Sequence, residues 1–136
     1  LSLLESAYLL EKKKIKIKGF TPKKFIEYSK KIDHRFAVRY AVYHDLREKD
    51  MPTRTGFKFG CDFRVYNKGV KPLKRGPKQS GEHTKWIVFA VEEGFKFSFP
   101  ELSRAVRLAH NIRANMLWAV VHKKKVKYFS VKFFKP

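Results

Sequence analysis

The stretch Trp86-Ile87-Val88-Phe89-Ala90-Val91 narrows the choice of fold more than any other part of the chain. It is an unbroken apolar run, far shorter than the roughly 20 residues that cross a bilayer. It also lacks the apolar/polar alternation of a strand with one wet face. Such a strand belongs in a sheet covered on both faces, so helices are expected above and below it. Met116 to Val121 is a second apolar run, and Val126 to Phe134 is expected to pair with it across the turn His122-Lys123-Lys124-Lys125. Upstream, Thr53 to Gly56, Phe57 to Gly60 and Phe63 to Tyr66 read as a strand pair punctuated by glycine.

The helices carry their own start signals. Ser2-Leu3-Leu4-Glu5 and Ser98-Phe99-Pro100-Glu101 have the spacing of a capping box. The first predicts a short helix through Tyr8, Leu9 and Leu10 that ends in Lys12-Lys13-Lys14, and the second a helix through Leu102, Val106, Ala109 and Ile112. Arg107 and Ala114, seven residues apart, are expected on one face of that second helix. Ile15-Lys16-Ile17-Lys18 alternates like a short strand ended by Gly19. Thr21-Pro22 opens a helix with proline in its first turn and Phe25, Tyr28 and Ile32 as its buried face. Asp33 reads as the N-cap of a longer helix whose stripe is Phe36, Tyr40, Tyr43 and Leu46. The expected fold class is α/β (α+β, mixed sheet). Residues 1–33 are expected to be the remnant of a small N-terminal domain, part of which is expected to be missing because Leu1 is not an initiator methionine, and residues 34–136 a compact α/β domain.

Charge decides the partner class. A formal charge of +20 on 136 residues exceeds what solubility needs, and such a field attracts phosphates. Nucleic acid is the expected partner. A membrane is not, because the basic residues are spread through every element and no signal-peptide pattern is present. Cys61 stands alone, which excludes an internal disulfide and a zinc knuckle and fits a reducing cytoplasm.

The residues bear on two kinds of RNA-cutting chemistry. A magnesium site could use Asp62, but Glu82 and Lys85 are three apart and fall on opposite faces of a strand. There is no phosphate-binding G-x-x-x-x-G-K-[ST] loop either. No metal and no cofactor is expected. A metal-free route needs a base for the ribose 2′-OH, an acid for the departing 5′-oxygen and a cation for the charge at phosphorus. Tyr66 and His83 sit at the two ends of a basic loop that carries Lys71, Lys74 and Arg75, and their residue types suit the base and the acid. On the residues alone, a strand-end tyrosine is more often a sheet-edge packing residue, and a lysine-rich loop is more often a solvated one.

Larger segments add a resemblance. "TGFKFGCDFRVY", "EHTKWIVFAV", "ELSRAVRLAHNIR" and the ending "KYFSVKFFKP" resemble the archaeal tRNA-splicing endonucleases, as do "LSLLESAYLLEKKKIKI" and "YAVYHDLREKDM" upstream. The resemblance spans essentially the whole chain. It implies a compact nuclease-like domain in residues 34–136 that excises introns from precursor tRNA at bulge–helix–bulge sites. The products would be a 2′,3′-cyclic phosphate and a 5′-OH, made without metal by a Tyr–His–Lys triad. The tyrosine falls on Tyr66 and the histidine on His83, whereas the lysine position holds Ala114. Loss of that one member, with the other two retained, reads as the disabling of an active subunit rather than drift in a non-catalytic one, which is the alternative.

The resemblance also implies that Arg107 stacks on a flipped bulge base. The second arginine of that sandwich is absent, leaving Lys127 or Lys132 in its place. It implies that the acidic tip Glu92-Glu93 docks on a second endonuclease subunit, with a heterotetramer preferred over a homo-oligomer. His110 matches a family histidine outside the triad and is expected in the core.

Overall fold

The computed structural model describes residues 2–57, 60–71 and 83–136. Among the described residues nine elements follow one another: α1 (Leu3–Glu11), α2 (Pro22–Ile32), α3 (Phe36–Glu48), β1 (Thr53–Thr55), β2 (Phe63–Val65), β3 (Trp86–Glu92), α4 (Phe99–Asn111), β4 (Asn115–His122) and β5 (Lys125–Val131). The strands form one mixed sheet in the order β1-β2-β3-β4-β5. Every neighbouring pair is antiparallel except β3 and β4, which run parallel and are joined by the α4 crossover.

The two apolar runs are β3 and β4, and both faces of each are covered. Val88, Ala90 and Ala119 join Val42, Tyr43 and Leu46 of α3 in one cluster. Ile87, Met116 and Trp118 join Ala105 and Ala109 of α4 in another. A strand contributes successive side chains to opposite faces, so a run wet on neither side must be apolar throughout. Helices α1 and α2 sit outside α3, where Ala7, Leu10, Phe25 and Phe36 make a third cluster.

Several local expectations change. Ile15 to Lys18 forms no strand, only a single bridge between Ile17 and Phe20 across Gly19, whose φ of +84° turns the chain back before a ladder can start. On α2, Phe25 and Ser29 are buried while Tyr28 and Ile32 are 44% and 57% exposed. Ser29 can occupy the core because its hydroxyl donates to the Phe25 carbonyl at 2.8 Å. Asp33 closes α2 instead of capping α3. Its carboxylate accepts from the Arg35 amide (2.9 Å) and from the Arg39 guanidinium (3.2 Å). Phe57 to Gly60 is no strand in its described part, and residues 58–59 lie outside the described residues.

Helices α1, α3 and α4 all end in the same motif without a glycine. Lys13, Asp50 and Arg113 each adopt a left-handed φ of 56° to 59°. In each case the next amide bonds back to a carbonyl five residues earlier: Lys14 to Leu9, Met51 to Leu46 and Ala114 to Ala109, at 2.9–3.1 Å. This is the Schellman arrangement, which satisfies the last orphan carbonyls and turns the chain out of the helix.

Asp62 joins the α3 layer to the sheet. It is 7% exposed and accepts from Arg35 Nη1 (2.8 Å) and Nη2 (3.2 Å), Arg39 Nε (2.9 Å) and the Ala90 amide (2.7 Å). Arg35 also donates to the Ala90 carbonyl at 2.8 Å. A buried carboxylate persists when its lone pairs are filled by cations and amides, as they are here.

Candidate active site

The backbone register brings the three candidate positions to one end of the sheet. Val65 at the end of β2 pairs with Trp86 at the start of β3, and Trp86 pairs with Asn115 at the start of β4. The Lys85 amide donates to the Val65 carbonyl and the Lys85 carbonyl accepts from the Asn115 amide, both at 2.9 Å. Tyr66, His83 and Ala114 therefore follow or precede three adjacent strands at the same edge. With neighbouring strands about 4.8 Å apart, the β2 and β4 termini are separated by roughly 10 Å.

The three differ in exposure. Tyr66 is 2% exposed and its amide is held by the Pro52 carbonyl at 3.0 Å, so the chain entering β1 fixes the chain leaving β2. His83 is exposed, and Ala114 is half-buried against the α4-side cluster. A lysine at 114 would lay its aliphatic stem on that cluster and carry its ammonium out toward the sheet edge.

Ala114 does not share a helical face with Arg107. Helix α4 stops at Asn111, and Arg113, with φ of 58°, reverses the chain before 114 is reached. The seven-residue spacing therefore loses its meaning. Arg107 is exposed on α4. The two lysines suggested beside it also separate. Val131, the last residue of β5, pairs with Met116, so Lys132 lies at the Ala114 end. Lys127 pairs with Val120, about 17 Å further along the strand.

His110 is not in the core. It is exposed on α4, with its ring edge toward Phe133 at a centroid distance of 6.5 Å. The helix buries Ala105, Val106 and Ala109, which leaves position 110 facing outward. Glu92 ends β3, and Glu93 in the following turn is paired with His122 of β4. Lys71 is exposed, whereas Lys74, Arg75 and Glu82 lie outside the described residues.

Lys85 is a cation at this edge that was weighed only as a magnesium-site residue. Its side chain is exposed and its ammonium lies 5.9 Å from the Trp86 ring centroid. The signal was its place one residue before the β3 run, where a strand end meets solvent. Asp62, the other residue considered for magnesium, is fully engaged by two arginines and an amide. Among the described residues no cluster of three or more His, Cys, Asp or Glu could hold a metal ion. Cys61 is buried, and that burial pushes its thiol up to about 11, which keeps it protonated and inert at neutral pH.

A cavity of about 850 Å³ lies toward the other end of β3, between α3 and α4, lined among others by Arg35, Asp62, Phe89, Arg104 and Trp118. Volume alone would favour it as the site. Three of its charged lining residues, Arg35, Arg39 and Asp62, are however spent on one another, so the strand-end cluster is the better candidate. Among the described residues no helix is long and apolar enough to cross a membrane.

Comparison with known proteins bears on the same edge. The family description "tRNA intron endonuclease, catalytic C-terminal domain" matches residues 36–128, which include all three positions. A tRNA-splicing endonuclease of Thermococcus onnurineus is 36% identical over 99% of this chain and 76% of its own length. One from Nanoarchaeum equitans is 36% identical over the whole of this chain and 90% of its own. A longer one from Methanococcoides burtonii is 35% identical over 96% of this chain and 37% of its own length. With a family match over most of its residues and relatives at 36% identity covering nearly all of it, the chain belongs to the tRNA intron endonuclease family.

Proposed function

We propose that the chain is a metal-independent endoribonuclease subunit that excises introns from precursor tRNA at bulge–helix–bulge sites. The form described here is disabled by Ala114. The observation that carries the reading is the register that sets Tyr66, His83 and Ala114 at the ends of three adjacent strands. In the reaction, Tyr66 takes the proton of the ribose 2′-OH and the oxygen attacks phosphorus. His83 protonates the departing 5′-oxygen, leaving a 2′,3′-cyclic phosphate and a 5′-OH. A cation at position 114 would hold the negative oxygens of the transition state, and alanine supplies none.

The remaining candidates fall around that centre. Lys71, Lys74 and Arg75 grip the RNA backbone near Tyr66 and His83, Arg107 and Lys132 hold a bulge base, and Glu92 and Glu93 dock on a second subunit of a heterotetramer. The division of the chain at residues 33 and 34 belongs to the same proposal, with the catalytic parts all on the C-terminal side.

Burial of Tyr66 favours a second reading, because a phenol that is 2% exposed must be uncovered before it meets a ribose. On that reading the chain positions RNA for another subunit and does not cut. Ala114→Lys separates the two. With the partner subunit and a bulge–helix–bulge RNA, the lysine form should cleave at least about a hundredfold faster than the alanine form. The product should end in a cyclic phosphate, and EDTA should leave its rate unchanged. A lysine form that still fails to cut in that assembly makes the chain a binding subunit.

A further inference from the structure

The N-terminal helical layer carries a cationic surface that none of the assigned roles uses. Between residues 12 and 31 there are nine lysines and a single acid, Glu27. All nine are exposed. Two are paired, Lys12 with Glu48 and Lys30 with Glu27. The others have no ion pair among the described residues: Lys13 and Lys14 in the turn after α1, Lys16 and Lys18 before α2, and Lys23, Lys24 and Lys31 on it.

Their placement follows from what α2 buries. Phe25 and Ser29 face the core, and residues two turns apart share a face, so Lys23 with Lys30 and Lys24 with Lys31 form two rows on the outward side. Each row spans about 10 Å along the helix. The turn that bears Lys13 and Lys14 is fixed beside the end of α3 by the Lys12–Glu48 pair. Four residues beyond Glu48, the Pro52 carbonyl takes the Tyr66 amide. The lysine turn thus lies toward the end of the molecule that carries the catalytic positions.

We propose that this lysine face binds the phosphate backbone of structured RNA outside the cleavage site, as a second grip on the same substrate. The inference rests on the reading of the chain as a precursor-tRNA endonuclease. Exposed lysines in rows, seven of the nine without an ion pair among the described residues, suit a phosphate backbone, which asks for point charges and no side-chain-specific fit. A protein partner fits less well, since lysine is depleted from the cores of protein interfaces. A membrane fits less well too, because Phe25 and Ile26 of α2 are taken up by the core cluster and only Tyr28 and Ile32 stay exposed, too little apolar face to enter lipid.

The test is the salt dependence of binding for the chain and for its Lys16→Ala/Lys18→Ala/Lys23→Ala/Lys24→Ala variant. The probes are a full precursor tRNA transcript and a minimal bulge–helix–bulge hairpin. All four side chains are exposed, and circular dichroism and melting should confirm an unchanged fold. For the full transcript, the slope of log affinity against log salt should fall by about 3, and affinity at 0.1 M salt by about tenfold or more. For the minimal hairpin, both should stay as they were. An unchanged slope on the full transcript overturns the proposal, and so does an equal loss on both RNAs, which would make the face part of the cleavage-site grip. Loss of binding to phosphatidylserine vesicles with the RNA slope intact overturns it in favour of a lipid surface. Failure of the Ala114→Lys form to cut would leave this slope untouched, so the two readings fall separately.

Discussion

On one face of the sheet α3 is held by charge and hydrogen bonds, while on the other α4 lies on it by shape alone. Arg35 at the N-cap of α3 and Arg39 within it converge on Asp62, Asp45 of α3 accepts from Tyr128 of β5 at 2.6 Å, and Glu48 accepts from Tyr8 of α1 at 3.3 Å. Helix α4 presents Ala105 and Ala109 to Ile87 and Met116. Among the described residues none of its side chains hydrogen-bonds to the sheet, and its polar contacts are spent on its own capping box. Directional contacts fix one arrangement of α3, because a buried charge tolerates no slip. Small apolar residues fix α4 only as well as they fill space. The candidate lysine position hangs from this second layer, so its placement depends on packing and on the Schellman turn at Arg113.

That contrast can be broken, and the strongest blow falls on the charged side. Asp62→Ala leaves Arg35 without its carboxylate partner and Arg39 with Asp33 alone, and should destabilise the fold by about 3 kcal/mol. The share from Arg35 is discounted because its side chain is 39% exposed. Urea unfolding monitored by tryptophan fluorescence would show it, and a loss under about 1 kcal/mol would mean the network adds little. On the α4 side, Ala109→Leu should cost about 1–3 kcal/mol by overpacking. The same change made in the Ala114→Lys form should lower cleavage more than it lowers stability, since the helix end would shift. If stability is unaffected, α4 is looser than its buried alanines imply.

The smallest effect sharpens the comparison through pH. Burial, and then the hydrogen bond to Asp45, raises the Tyr128 hydroxyl well above its ordinary value of 10.0. The folded state therefore holds this proton more tightly than the unfolded chain does. The stability linked to it is fully present below pH 10 and is lost as the pH climbs above that value. Tyr128→Phe should cost about 1 kcal/mol at neutral pH and make the alkaline decline shallower. Tyr40, raised by burial and by Glu11, keeps some of that decline in the variant. Identical alkaline melting curves for the two proteins would remove Tyr128 from the account.

The strands around the site were plain in the sequence because runs such as Trp86 to Val91 have few other uses in a chain of this size. Capping boxes and Pro22 marked where helices begin. Where they end was hidden, since Lys13, Asp50 and Arg113 occupy left-handed positions that are usually announced by glycine or asparagine. That gap caused the error of placing Arg107 and Ala114 on one face. Tyr66 and His83 were visible as residue types flanking a basic loop, and the family resemblance gave them roles. Their common edge depends on the pairing of Val65, Trp86 and Asn115, which no local pattern encodes. Asp62 was read as a possible metal ligand because its two arginine partners lie 23 and 27 residues away in the chain.

The double use of the Lys85 backbone, as donor to β2 and acceptor from β4, has a bearing on how such a protein can change. The chain leaves the sheet after Val65 and rejoins it at Lys85, and both points are pinned to each other across the ladder. Length added or removed between Tyr66 and His83, inside those two anchors, leaves the ladder itself untouched, and each doubling of it adds only about 0.6 kcal/mol of closure entropy. The loop length is thus free to vary between relatives, while the strand edge that carries the candidate site keeps its backbone register.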